Sequence, residues 1–106
     1  MAEHLNARLT AILATLVGKE RHGYDIMKQV AIDSDHRFAM GPAALYTGLK
    51  RLVELGMVAE SGERPDASHD DVRRRYYKLT AAGTTVLEAE VSHMEHLAQV
   101  VRGRLA

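Results

Sequence analysis

The stretch from Gly41 to Val58, GPAALYTGLKRLVELGMV, constrains the fold most, because it predicts one short helix with both ends marked. Pro42 stands where a first-turn proline is tolerated, since the N–H that it lacks would have no partner within the helix. Gly56 stands where a helix needs a left-handed residue to close. The apolar residues share one face of this helix: Leu45, Leu49, Leu52 and Val53. The other face is polar and carries Tyr46, Thr47, Lys50 and Arg51.

Length and composition restrict the class of protein. The chain has 106 residues, enough for one hydrophobic core, and a formal net charge of zero. It has no cysteine, which excludes disulfides, thiolate catalysis and Cys-based metal sites. No apolar run approaches the roughly 18 residues of a membrane span, and the N-terminus lacks a basic start followed by an apolar block. We therefore expect a cytoplasmic protein without a membrane segment.

The remaining chain predicts two more helices and a hairpin before a last helix. Apolar residues at spacings of three and four predict a helix from Leu5 to Val17, and another follows from about His22 to Ala31. The period then changes, so that residues 57–60 and 72–79 are strand candidates. The residues between them, Glu60 to Asp71, include Gly62 and Pro65 and predict a long, mobile hairpin tip.

The last helix has an apolar seam. Thr80 is a suitable N-cap for a helix of about 25 residues. The seam follows a 4-3-4-3-4 spacing through Leu87, Val91, Met94, Ala98, Val101 and Leu105. Such spacing is typical of a coiled-coil-like contact, and a monomer would leave the stripe exposed. We therefore predict that this helix joins two copies of the chain.

This order of elements predicts a mainly α fold with a small β-hairpin. Residues 1–80 would form a winged helix-turn-helix domain that binds DNA. Residues 81–106 would form a C-terminal dimerisation helix, and the two parts would make one compact unit. There are no internal repeats or low-complexity segments that would mark a second domain.

Three pieces of the sequence carry a family resemblance: LTAILATLVGKERHGYDIMKQV, ALYTGLKRLVELGMV and RRRYYKLTAAG, in that order. Together they resemble the PadR family of transcriptional regulators, in the short subgroup with one C-terminal helix. The resemblance implies a homodimer that represses nearby genes and is relieved by a small effector or by stress. It also implies that Leu5, Leu9 and Ile12 close over the partner's last helix. One departure is Thr47, where the family commonly has proline.

The third helix supplies the predicted base contacts. Its first turns, Pro42 to Thr47, would enter the major groove of double-stranded DNA. Ala43 and Ala44 would allow close approach and contact with a thymine methyl, and Thr47 would reach a base edge. Lys50 and Arg51 would hold phosphates, with Tyr46 stacked beside Lys50. In a symmetric dimer these contacts predict a pseudo-palindromic operator. The alternative is a solvated amphipathic helix with a basic patch.

The hairpin and the second helix supply the predicted backbone contacts. Arg74 and Lys78 share a strand face with Tyr76, and at least one of Arg73, Arg74 and Arg75 would contact DNA. Tyr77 and Leu79 would instead pack onto the domain. The alternative is that the three arginines neutralise Asp66, Asp70 and Asp71 across the hairpin. Tyr24, next to Gly23 at the start of the second helix, would donate its hydroxyl to a phosphate or else be a half-buried core residue.

Other classes of function have weaker support in the sequence. His93 and His96 lie three apart on the last helix, but two imidazoles do not complete a zinc site, so we predict no metal and no cofactor. No serine lies in a nucleophile pattern and no glycine-rich turn would cradle phosphate, so we predict no enzyme. The rival to DNA binding is a winged helix that docks other proteins through its acidic wing. A small hydrophobic effector bound between the protomers is a hypothesis that rests on the resemblance and the apolar seam.

Overall fold

The computed structural model of the chain describes residues 5–66 and 69–106, apart from the side chains of residues 66 and 69–72. The elements follow in the order α1 (Ala7–Thr15), β1 (Arg21–His22), α2 (Gly23–Asp33), α3 (Pro42–Glu54), β2 (Val58–Asp66), β3 (His69–Leu79) and α4 (Ala81–Leu105). The predicted mainly α fold with a small sheet is confirmed. Among the described residues, none of the helices is both long and apolar enough to cross a bilayer.

Local capping sets where the helices begin and end. Asn6 caps α1, where its Oδ1 accepts a hydrogen bond from the Leu9 N–H at 2.8 Å. His22 caps α2 in the same way, since its Nδ1 accepts from the Asp25 N–H at 3.2 Å. Pro42 is the first residue of α3, and Gly56 has φ +76° directly after its C-cap, as the sequence predicts. A side-chain acceptor satisfies an N–H that the helix itself leaves unpaired.

The sheet differs from the prediction at the hairpin. Its strands are antiparallel in the order β1-β3-β2, and β1 is a two-residue strand too short for its periodicity to be recognised. The expected long tip over Glu60 to Asp71 is wrong, because β2 runs to Asp66 and β3 starts at His69. Gly62 and Pro65, which predicted a loop, lie in the edge strand β2. A bulge accommodates Gly62, and an edge strand tolerates a proline that cannot donate a hydrogen bond.

The core lies between the first three helices, the sheet and the start of α4. Its fully buried side chains are Ile12, Leu13, Leu16, Ile26, Val30, Leu45, Leu49, Leu52 and Val58. Leu9, Met57, Tyr77 and Leu87 complete it, and Leu5 is half-buried against it. The predicted role of Leu9, Ile12 and Leu87 in a dimer contact is therefore corrected. Ile12 is 0% exposed, so its apolar surface is already used within the chain.

Among the described residues, those of α4 that are buried lie in its first two turns, at Gly83 and Leu87. Gly83 is buried and lies so close to the Met57 carbonyl that a β-carbon there would overlap it. Beyond Leu87 most residues of α4 are exposed. The described chain measures 55 × 32 × 24 Å along its principal axes, and a helix of 25 residues accounts for much of the longest one.

Candidate nucleic-acid interface

Helix α3 presents most of the residues that the sequence selected. Leu45, Leu49 and Leu52 are buried, which turns the opposite face outward. On that outward face Pro42, Ala43, Tyr46, Thr47, Lys50 and Arg51 are exposed and Ala44 is half-buried. Tyr46 is 49% exposed, although its hydroxyl contacts Gly23 at the start of α2. One helix therefore offers small, hydroxyl and cationic side chains in a single row.

The sheet adds a second wall beside α3. A groove of about 390 Å³ runs between them, and Tyr46 and Lys50 line it from the helix while Glu60, Arg75 and Tyr77 line it from the sheet. Two residues predicted to contact DNA from separate elements, Lys50 and Arg75, thus meet in one groove. Arg51 lies farther round the helix and forms an ion pair with Glu54 at 3.9 Å.

Two arginines of the wing, which is the hairpin formed by β2 and β3, pair with carboxylates of β2. Arg73 Nε lies 3.7 Å from Glu63 Oε1, and Arg75 Nη1 lies 3.6 Å from Glu60 Oε1. The side chains of Asp66, Asp70 and Asp71, the partners expected for these arginines, lie outside the described residues. Both observed pairs are exposed on the surface of the wing, where such pairs are weak.

Tyr24 has two cations near its ring. Lys28 Nζ is 5.1 Å from the centre of its ring and Arg74 Cζ is 5.7 Å from it, both within cation–π range. Tyr24 is 49% exposed and does not belong to the core cluster, which disfavours the alternative interpretation of a core residue. Sequence reasoning missed Lys28, although its spacing of four from Tyr24 on one helix was the available signal.

A further cation, Arg64, was also missed by the sequence analysis. Its guanidinium lies 4.1 Å from the centre of the Tyr76 ring and forms an ion pair with Glu20. This pair holds the pKa of the Glu20 carboxyl below its ordinary value. Tyr76 also makes a T-shaped contact with His22, with ring centroids 5.4 Å apart. These contacts tie the wing to the turn before α2, and no sequence spacing indicates them, because Glu20 and Arg64 are 44 residues apart.

Tyr77 lies on the face of β3 opposite to that of Tyr76. It is buried in the core, as the sequence predicts for a residue that packs onto the domain. Burial raises the pKa of its phenol above the ordinary value of 10.0, and the nearby Glu60 carboxylate raises it further. The phenol is therefore a neutral, fixed part of the groove wall at physiological pH.

Lys78 does not join the residues around α3. It lines a different groove, of about 520 Å³, together with Leu16 and Glu20 on one side and Leu87 and Glu88 on the other. This groove lies between the end of α1 and the start of α4. Lys78 and Arg75, which the sequence grouped together, therefore line different grooves.

The exposed part of α4 carries an apolar stripe. Leu97 is 52% exposed and Leu105 is 80% exposed, and neighbouring apolar residues are similarly accessible. The stripe forms a groove of about 490 Å³ lined by Met94, Leu97, Ala98, Val101, Arg102 and Leu105. His93 and His96 are exposed on the same helix. Among the side chains that the structure describes, no three of His, Asp or Glu come together as a metal site.

Comparison with known sequences identifies related proteins. Residues 12–89 match the sequence model of the transcriptional regulator PadR-like family. An uncharacterized protein from Lysinibacillus sphaericus is 27% identical over 91 residues, which cover 85% of this chain and 80% of that protein.

Comparison with solved structures shows that PadR family regulators have the fold described above. A PadR family transcription regulator from Clostridium difficile R20291 superposes with a TM-score of 0.78 at 23% identity, covering 95% of this chain and 100% of that one. A PadR family regulator from Eggerthella lenta has a TM-score of 0.65 at 27% identity, covering 92% and 79%. Bacillus subtilis PadR, solved in complex with operator DNA, has a TM-score of 0.68 at 22% identity, covering 81% and 48%.

Proposed function

The chain belongs to the PadR-like family of transcriptional regulators, and we propose that it acts as a homodimeric repressor that binds a pseudo-palindromic operator in double-stranded DNA. Members of this family are transcription regulators and not enzymes. The observation that carries the proposal is the row of exposed residues on α3 beside a wing that supplies Arg75 to the same groove. The relative from B. subtilis, of the same fold, is solved with operator DNA.

In the proposed complex α3 enters the major groove with its first turns leading. Pro42, Ala43 and Ala44 have small side chains that let the backbone come close to base edges. Thr47 offers a hydroxyl to a base or a phosphate. Tyr46, Lys50 and Arg51 follow along the helix and hold the sugar–phosphate backbone, which fixes the register of the helix on the duplex.

Two flanking clusters would hold neighbouring phosphates. On the wing, Arg73 and Arg75 are exposed. At the start of α2, Tyr24 combines a hydroxyl with two cations near its ring, Lys28 and Arg74. Charge-assisted hydrogen bonds from guanidinium and ammonium groups to phosphate are the usual basis of such contacts. We leave Lys78 out of this surface, because it lines the groove beside α4 instead.

Dimerisation through α4 would place two copies of this surface on one duplex. Residues 1–80 would form the DNA-binding part and residues 81–106 the dimerisation helix, whose first turns are shared with the core. The proposed contact uses the exposed residues of the seam: Val91, Met94, Ala98, Val101 and Leu105, with Leu97 at its edge. Two-fold symmetry then predicts half-sites about one helical turn apart, roughly 34–36 Å.

A mobility-shift titration with DNA from upstream of the chain's own gene tests the proposal. We expect a shift that weakens steeply with added salt, and we expect the Lys50→Ala, Arg51→Ala variant to bind at least about tenfold more weakly with a shallower salt dependence. The matched control is Arg8→Ala, Lys19→Ala, which removes the same charge at exposed positions outside the proposed surface. Equal binding by the two double variants would rule α3 out as the contact.

The oligomeric state is tested separately by light scattering on the eluting protein. We expect twice the chain mass of 11.7 kDa, and a monomer for Val101→Glu, because a carboxylate on the seam would have to be desolvated. Gln99→Glu, off the seam on the same helix, is the control and should remain a dimer. A wild-type monomer at micromolar concentration would contradict the proposed assembly.

The proposal includes relief by a small hydrophobic effector held between the protomers, where the groove along α4 supplies an apolar lining. Calorimetric titration of the protein–operator complex with a panel of apolar compounds tests this part. An operator affinity that no compound changes would count against it. The rival function, docking of other proteins through an acidic wing, has less support, because Glu60 and Glu63 are paired with arginines of the wing itself.

A further inference from the structure

Strand β2 places two glutamates on one face although their spacing predicts opposite faces. Glu60 and Glu63 are three residues apart, and side chains alternate along a regular strand. In the observed register Glu60 lies opposite Tyr77 and Glu63 lies opposite Arg75, which are two residues apart on β3. The bulge between Glu60 and Gly62 takes up the extra residue, and Gly62 has φ +111° there. The bulge therefore brings both carboxylates to the face that carries the wing arginines.

Each carboxylate pairs diagonally across the two strands, with the arginine that lies two residues before the residue opposite it on β3. Glu60 reaches Arg75, two residues before its opposite residue, at 3.6 Å. Glu63 reaches Arg73, also two residues before its opposite residue, at 3.7 Å. The Arg73 Nη2 also donates to the Glu63 backbone carbonyl at 3.0 Å. Glu60 shares the face of Arg75 by ordinary strand alternation, and the bulge that follows it turns Glu63 to the same face, so that the two pairs repeat one diagonal.

We propose that Glu60 and Glu63 are built-in competitors of DNA phosphate, which occupy Arg75 and Arg73 in the free protein and are displaced when the wing meets the DNA backbone. This inference rests on the proposed function, because it requires the wing to contact DNA. A carboxylate and a phosphate offer a guanidinium the same kind of anionic oxygen acceptors. Exposed ion pairs at these distances are weak, so phosphate can replace the carboxylate.

The competition sets both the affinity and its dependence on salt. Each arginine that leaves a glutamate for a phosphate also leaves a carboxylate that then attracts cations from solution. The net release of counterions on binding is therefore smaller than the number of wing arginines alone would produce. Glu60 lines the groove between α3 and the wing together with Lys50, so its carboxylate lies within the proposed DNA surface itself. A chain of zero net charge thus keeps its affinity for arbitrary DNA low.

Substitution by glutamine removes the competitor with little change in shape. We expect Glu60→Gln and Glu63→Gln each to tighten binding to the operator by about three- to fivefold at moderate salt. We also expect each to steepen the slope of log affinity against log salt by up to about 0.9. The control is Glu95→Gln, which removes the same charge from the exposed face of α4. Thermal unfolding should confirm that all three variants fold like the wild type.

A double-mutant cycle separates local competition from general repulsion. If Glu60 acts through Arg75, then Glu60→Gln should lose most of its effect in an Arg75→Ala background. The same gain in both backgrounds, or a gain equal to that of Glu95→Gln, overturns the inference. Unchanged or weaker binding by Glu60→Gln also overturns it, and weaker binding would mean that the carboxylates orient the arginines for DNA.

Failure of this inference can be distinguished from failure of the proposed function. If the wild type binds the duplex and Lys50→Ala, Arg51→Ala weakens it while the glutamine variants do not differ from wild type, only the inference fails. If the wild type and the glutamine variants shift no duplex even in dilute buffer, the proposed function fails and the inference with it.

Discussion

The phenol of Tyr46 on α3 lies directly against Gly23, the first residue of α2, and fills the space that a β-carbon at position 23 would need. The ring carbon that bears the hydroxyl would be 2.8 Å from such a carbon, well inside normal contact. The pair sets how closely α3 approaches the start of α2. Because Tyr46 also lines the groove beside the wing, this approach helps to position the proposed DNA surface.

Replacing Gly23 by alanine should therefore cost stability despite the better helix propensity of alanine. We expect Gly23→Ala to lower the free energy of unfolding by about 1–3 kcal/mol, because Tyr46 must move. Urea denaturation at one fixed protein concentration measures this. In a Tyr46→Ala background the same substitution should cost nothing or stabilise slightly. An equal loss in both backgrounds would show that the contact is not the cause.

Two glycines of α4 should respond in opposite ways to alanine. At Gly83 a β-carbon would overlap the Met57 carbonyl, and backbone cannot move aside as a side chain can, so we expect a loss of about 1–3 kcal/mol. At Gly103 nothing lies within 4 Å of the corresponding position, so Gly103→Ala should stabilise by up to about 1 kcal/mol. Thermal or urea unfolding of the two variants compares them directly. A destabilised Gly103→Ala would indicate a contact made only in the assembled protein.

Thr80 links the end of α3 to the start of α4 through one hydroxyl. Its Oγ1 accepts a hydrogen bond from the Gly83 N–H at 3.0 Å and donates one to the Gly56 carbonyl at 2.6 Å. We expect Thr80→Ala to lower the free energy of unfolding by about 1–2 kcal/mol, since both bonds are lost. Thr80→Ser keeps the hydroxyl and should stay within about 0.5 kcal/mol of the wild type. Hydrogen exchange in the first turn of α4 should rise in the alanine variant only.

The buried phenol of Tyr77 should make the protein sensitive to alkali. Its pKa is raised in the folded state, so the unfolded chain releases this proton at the lower pH. The contribution to stability is therefore complete below about pH 10 and is lost as the pH rises through the folded-state pKa. Tyr77→Phe should remove this part of the loss of stability at alkaline pH, which is measured as the fall of the urea midpoint between pH 9 and 11. An identical decline in the variant would place its origin in other groups.

Local signals in the sequence predicted the helices well. Pro42 and Gly56 mark the ends of α3, and Thr80 caps α4, because a cap acts within three or four residues of the chain. The outward face of α3 was predicted for the same reason, since a period of 3.6 residues sorts neighbours onto faces. The hairpin was predicted poorly, because Gly62 and Pro65 are read as loop residues unless the strand is known to be an edge with a bulge.

The sequence by itself determined the order of the elements, the caps of α3 and α4 and the face of α3 that turns outward, because all of these depend on residues close together along the chain. Only the tertiary structure decided which partners the arginines take. Arg64 pairs with Glu20 across 44 residues, and the bulge at Gly62 turns Glu63 to the face where it pairs with Arg73. The tertiary structure also decided that Leu9 and Ile12 belong to the core. The same apolar pattern along a helix is compatible with packing inside the chain or against a second copy, so the sequence cannot distinguish the two. Pairings of this kind depend on how separate elements meet, and no spacing along the chain encodes that geometry.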